Sequence, residues 1–73
     1  MNELNTEEKI RLILKRKGMT IGDLSSAMGQ TRQRVHQAFK RGDYEVGWLE
    51  KVADAIGCKL EIKFIDKETG EDI

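Results

Sequence analysis

The stretch from Thr20 to Arg41 constrains the fold more than any other part of this 73-residue chain. Apolar residues recur with helical spacing both before and after Gly29, which predicts two short amphipathic helices separated by a glycine turn. Thr20 and Asp23 have the three-residue spacing of a capping box, which marks the start of the first helix. The sequence therefore predicts two helices joined by a tight turn, the second running from about residue 31 to 41.

The second of these helices has an unusual polar side. At about 100° per residue, Val35, Ala38 and Phe39 fall together on one side. The opposite side carries basic and amide residues: Arg32, Gln33, His36, Gln37 and Lys40. No acid lies between Thr31 and Arg41, and these side-chain types pair with base edges and phosphates, so this side predicts binding in a groove of DNA. Two amphipathic helices joined by a glycine turn also occur in ordinary bundles, where the same side is only solvated surface.

The net charge of the chain is zero, but the charges are unevenly distributed. Residues 1–42 hold nine Lys and Arg against four acids, a net charge of +5. Residues 43–73 hold four Lys against nine acids, a net charge of −5. Such a dipolar chain is steered toward phosphate in one orientation, with its basic half leading.

The composition excludes several functional classes. With 38% apolar and 36% charged residues, the chain is typical of one small soluble domain. It has no apolar run long enough to span a membrane and no secretory signal pattern after Met1, so we expect a cytoplasmic location and no membrane partner. A single Cys58 and a single His36 provide no metal-ligand set, and no catalytic constellation is recognisable. We therefore expect no metal, no cofactor and no enzymatic activity.

Two further helices are predicted, one on each side of the central pair. The first begins after a cap at Asn5 or Thr6 and stops before Gly18, and the last stops at Gly57. Their apolar stripes consist of Ile10, Ile13 and Leu14 in the first helix and Leu49, Val52, Ala53 and Ile56 in the last. Basic residues at the end of the first helix suit the negative end of its dipole and are also candidates for phosphate contact.

After Gly57 the apolar pattern changes from helical to alternating. Leu60, Ile62 and Phe64 alternate with charged residues, which predicts a half-buried strand. Residues 66–70 can turn this strand back into a hairpin, but only three residues remain for the return arm, so the other edge stays unpaired. We therefore expect residues 1–57 to form a helical domain and residues 58–73 a dimerisation element, in which the strands of two chains pair about a two-fold axis. The alternative is a monomer whose hairpin folds back on its own core.

Several residues spread over the chain carry a resemblance to a known family. These are Lys15, Gly18, Thr20, Leu24, Gly29, Thr31, Val35, Leu49, Ala53, Ile56 and Gly57. In order and spacing they resemble the phage repressor and Cro-like (XRE) helix-turn-helix family over roughly residues 8 to 57. The resemblance implies a mostly α, four-helix lambda-repressor-like domain, to which this chain adds a C-terminal β-strand or short hairpin.

The resemblance also implies a recognition helix that lies in the major groove and corresponds to residues 31–41 here. The residues that this resemblance leads us to expect at base edges are Thr31, Arg32, Gln33 and Gln37, together with the nearby His36. Those expected to contact phosphate are Lys15, Arg16, Lys17, Thr20, Arg34, Lys40 and Arg41.

The chain departs from this family at three places. Ile21 stands where a phosphate-contacting Gln is common, and the loop after the recognition helix is one residue longer. Phe39 stands where the family often has an acid that pairs with a basic residue of the first helix. We expect core packing by Phe39 to replace that pair.

Two functional hypotheses follow. The leading one is a sequence-specific regulator that binds double-stranded DNA, most simply a small repressor of bacterial or phage type. The alternative is an antitoxin-like or adaptor module whose acidic second half binds a protein partner, with DNA binding as a secondary activity. An additional docking segment would favour the alternative, and the sequence offers at most the short tail of residues 66–73.

Overall fold

The computed structural model describes residues 4–73, and four α-helices account for most of them. The helices are α1 (Thr6–Arg16), α2 (Ile21–Met28), α3 (Arg32–Arg41) and α4 (Val46–Ala55). The predicted mostly α, four-helix arrangement is therefore confirmed. No helix within residues 4–73 has both the length and the apolar character needed to cross a membrane.

Local capping groups fix the starts of three helices at the predicted positions. The Thr20 hydroxyl accepts a hydrogen bond from the Asp23 amide at 3.0 Å, and the Asp23 carboxylate accepts one from the Thr20 amide at 2.9 Å. Asn5 forms the same reciprocal box at the start of α1. The Thr31 hydroxyl accepts from the Arg34 amide at 3.2 Å and so begins α3. These bonds satisfy amides that a helix start otherwise leaves without a partner.

The apolar stripes of the four helices meet in one core. Its buried members are Ile10, Leu14, Leu24, Val35, Phe39, Val52 and Ile56. Phe39 is only 6% exposed, which confirms that it packs into the core. A basic residue of the first helix still approaches this position, because the Arg11 guanidinium carbon lies 5.2 Å from the centre of the Phe39 ring. A cation–π contact thus joins α1 to α3.

The C-terminal tail reverses direction as predicted, but its strand is unconfirmed. Asp66 and Gly70 bound the reversal, and an antiparallel bridge between Ile65 and Asp72 follows it. This single bridge is the only β-pairing within residues 4–73, and no longer strand forms there. The short return arm reaches only as far as Phe64, whose carbonyl accepts from the amide of residue 73 at 2.9 Å. The backbone groups of residues 59–63 consequently have no backbone partner among residues 4–73.

The apolar side chains of this tail are largely outside the core. Leu60 is half-buried, whereas Ile62 is 57% and Phe64 is 74% exposed. A single chain therefore does not bury the apolar side of the predicted strand. Strand formation needs a neighbouring strand, and three residues are too few to supply one.

Candidate nucleic-acid interface

Helix α3 buries one side and exposes a side that is entirely polar. Val35 is fully buried beside Phe39, as the helical spacing predicts. The seven exposed residues of the helix are Arg32, Gln33, Arg34, His36, Gln37, Lys40 and Arg41. At about 3.6 residues per turn, Gln33 and Gln37 lie one turn apart on the line farthest from the core, and Lys40 continues it. All five expected base readers are thus exposed, four of them on this helix and Thr31 at its N-cap.

The four cations of α3 have no acidic partner among residues 4–73. The ion pairs of this part of the chain join Glu7 to Arg11, Lys59 to Glu61 and Lys63 to Asp72. Arg32 and Arg34 lie in the first turn of α3, which contains no acid, although acids occupy the first turns of α1 and α2. Basic residues at this end oppose the helix dipole, so the arrangement lowers local stability and leaves a strongly positive surface.

Arg32 lies against α2. Its Nε, Nη2 and Cζ atoms lie 2.8, 3.1 and 3.2 Å from the point that a Cβ atom on Gly22 would occupy. The guanidinium makes no hydrogen bond or ion pair with the rest of the chain between residues 4 and 73. Its N–H groups therefore stay free for an external acceptor.

The other flank of α3 borders an open cavity of about 360 Å³ at the loop before α4. Arg34, Gln37 and Arg41 form the α3 side of this cavity, and the Tyr44 and Trp48 rings lie across from them. The two rings are stacked, with centres 5.7 Å apart. Burial, reinforced by the nearby Glu7 carboxylate, raises the pKa of the Tyr44 hydroxyl. Asp43 and Glu45 also line the cavity, so its positive charge is confined to the α3 side.

The turn between α2 and α3 is fixed by the backbone conformation of Gly29 and by one side-chain hydrogen bond. Gly29 has the left-handed φ of 69° that ends α2, as predicted. The indole N–H of Trp48 donates to the side-chain oxygen of Gln30 at 3.3 Å, which links the turn to α4. Trp48 also meets Phe39 edge to face at 6.4 Å. The orientation of α3 is therefore determined by neighbours on α2, α4 and the turn.

The remaining predicted phosphate contacts lie outside α3. The Thr20 hydroxyl caps α2, and the Lys17 ammonium lies 3.4 Å from the Gly57 carbonyl oxygen at the end of α4. Lys15 and Arg16 are exposed in the last turn of α1. Lys17 thus neutralises the end of α4 rather than that of its own helix, and the role of all four residues toward DNA remains a prediction.

Sequence reasoning missed the residues that hold α3 in place. Gly22 could have been noticed in the sequence, because a glycine inside a helix lowers the stability of that helix and often marks a close packing contact. Gln30 and Arg11 had none, since each acts through a side-chain contact with a residue far away in the sequence.

Comparison with protein-family models matches residues 9–61 to the Cro/C1-type HTH DNA-binding domain. The match covers most of α1, the whole of α2, α3 and α4, and the first residues of the tail. Neither the curated proteins nor the solved structures that were compared match the chain. The match covers well over half of the chain and coincides with the four-helix core and the exposed basic side of α3. The chain therefore belongs to the Cro/C1-type helix-turn-helix DNA-binding family.

Proposed function

We propose that this protein is a sequence-specific regulator of transcription that reads the major groove of double-stranded DNA with α3. The observation that carries the proposal is the exposed side of α3, which has seven polar residues, no acid, and cations without an acidic partner among residues 4–73. Guanidinium and amide groups form bidentate hydrogen bonds with purine edges, so this side suits base reading as well as phosphate binding. Repression is the simplest outcome, because a protein bound at a promoter needs no further contact to block it.

The positions on α3 support a division of roles. Gln33 and Gln37 project farthest from the core and suit base edges, together with Arg32, His36 and Thr31 at the start and side of the helix. Arg34 and Arg41 lie on the flank next to the cavity and suit the phosphate backbone, as do Lys40 and the basic residues that end α1. In this proposal the protein acts in the cytoplasm, without a cofactor and without enzymatic activity.

We further propose that the active species is a homodimer paired through residues 58–64. Ile62 and Phe64 are exposed and the backbone of residues 59–63 is unpaired within residues 4–73, so a second copy can supply both the strand and the apolar cover. An antiparallel pair centred on Ile62 places Leu60 opposite the partner subunit's Phe64 and Glu61 opposite the partner subunit's Lys63. A pair centred on Glu61 would instead oppose like charges, which destabilises a ladder.

Selection of binding sites from random duplex DNA, sequenced and repeated at two salt concentrations, tests the proposal. We expect a short palindromic motif whose half-sites lie about one helical turn apart, roughly 34 Å, and an affinity that falls steeply with salt. A motif without symmetry would support sequence-specific DNA binding but contradict the proposed homodimer. Failure to enrich any motif, with weak binding at low salt as well, would contradict DNA reading and favour a protein partner for the acidic second half.

A reporter gene controlled by the selected motif separates repression from activation. Expression should fall when the protein is present. An increase would contradict repression while leaving specific DNA binding intact.

A further inference from the structure

Gly22 occupies the second position of α2, where the backbone itself does not require glycine. The residues with positive φ are other glycines, located in turns and helix ends, so Gly22 has an ordinary helical conformation. Alanine at such a position would stabilise the helix, because glycine loses more backbone freedom on folding. What distinguishes this position is therefore the space beside its Cα atom.

The Arg32 guanidinium fills that space. Three of its atoms lie between 2.8 and 3.2 Å from the point where a Cβ atom would stand. The two nitrogens lie nearer to that point than the central Cζ does, so the guanidinium turns its Nε–Nη2 edge obliquely toward Gly22. No hydrogen bond or ion pair within residues 4–73 uses this guanidinium, so its N–H groups are free to donate to an external acceptor.

We infer that Gly22 is a positioning residue for DNA recognition, whose missing side chain leaves the space on α2 that the guanidinium of Arg32 occupies. The inference rests on the proposed function, in which Arg32 reads a base edge. The acceptor pair that suits such a group is the O6 and N7 edge of guanine. A guanidinium that is already oriented in the free protein loses less freedom on binding than one that moves freely.

The variant Gly22→Ala tests this inference, because its effects on stability and on binding differ in sign. Its Tm should stay the same or rise, since alanine favours the helix and the displaced atoms belong to the end of a flexible side chain. Its affinity for the selected site should fall by about 3- to 10-fold, the cost of ordering one long side chain. Gly47→Ala in α4 is the matched control, because a Cβ atom there meets nothing within 4 Å. This control should gain helix stability and bind DNA like the wild type.

Base preference gives a readout that a purely structural effect would not change. Site selection with Gly22→Ala should flatten the same base-pair positions as selection with Arg32→Ala and leave the other positions intact. In the Arg32→Ala background, Gly22→Ala should cause no further loss of affinity. An undiminished loss in that background would overturn the inference, because alanine would then act on DNA directly or through α2.

A measurement without DNA separates this inference from the proposed function. Nuclear Overhauser contacts between the Gly22 α-protons and the Arg32 side chain should be present in the free wild type and lost in Gly22→Ala. Unchanged binding and base preference of Gly22→Ala, with a wild type that selects a motif, would overturn the positioning role alone. A wild type that selects no motif would overturn both, even where the contact in the free protein is observed.

Discussion

Gln33 and Lys40 lie two turns apart on the same exposed line of α3, yet they can bind different parts of DNA. The Gln33 amide offers a donor and an acceptor that match an adenine edge, whereas the Lys40 ammonium is a point charge suited to phosphate. We expect Gln33→Ala to remove about 1–3 kcal/mol of discrimination at one or two base pairs of each half-site. Lys40→Ala should instead weaken binding to all sequences alike and reduce the salt dependence by about one phosphate contact.

Site selection and salt titration of both variants distinguish these roles. Replacing either residue should leave the Tm nearly unchanged, since both are exposed and neither contributes to the buried core. Recovery of the wild-type motif by Gln33→Ala would show that this residue does not read bases. A base-specific defect in Lys40→Ala would contradict its assignment to phosphate.

At the scale of the helices, the Arg11 guanidinium of α1 packs against the Phe39 ring of α3, the position where the resemblance implies an acid. Arg11 also bonds Glu7 at 2.7 Å, but exposed pairs of this kind contribute little. We therefore expect Arg11→Met and Phe39→Leu to be coupled by about 0.5–1 kcal/mol in the free energy of unfolding, from the cation–π contact. Urea unfolding of the two single variants and the double variant measures this coupling.

The cycle cancels what each variant changes on its own, including the loss of the edge-to-face contact between Phe39 and Trp48. Methionine retains the apolar stem of Arg11, and leucine keeps the Phe39 position apolar and buried. A coupling energy indistinguishable from zero would mean that Arg11 stabilises the protein only through Glu7. Helices α1 and α3 would then be held together by the apolar core alone.

The sequence predicted the helices well because their ends depend on neighbouring residues. Thr20 with Asp23 and the glycine at position 29 act within one turn, so their spacing alone locates a helix start and a helix end. The contact of the Arg32 guanidinium with Gly22 and the hydrogen bond from Trp48 to Gln30 were not predictable in this way. Each joins residues ten or more positions apart, and their meeting depends on how the helices pack.

At the scale of the whole molecule, the tail of residues 58–73 determines whether two recognition helices act together. Ile62→Asp should produce a monomer with much weaker binding to a palindromic site, because it places a charge at the centre of the proposed pairing. The monomer should stay folded, because Ile62 is 57% exposed and outside the core, but its Tm should lose the concentration-dependent contribution of dimerisation. Ile73→Asp is the matched control, since Ile73 is also exposed but lies beyond the paired residues. Sedimentation equilibrium across micromolar concentrations measures both, and a wild type that stays monomeric there would contradict the dimer.

The register of that dimer has its own consequence for cross-linking. In a strand pair centred on Ile62, the Ile62 residues of the two subunits lie opposite each other. Their Cβ atoms are then about 4.5–5.5 Å apart, which is close to disulfide geometry. Ile62→Cys in a Cys58→Ala background should therefore form a covalent dimer under mild oxidation. Lys59→Cys in the same background should not, because six residues of offset at about 3.4 Å each separate the two copies by roughly 20 Å. Efficient cross-linking at position 59 rather than 62 would rule out this register, and cross-linking at neither would leave two-fold strand pairing without support.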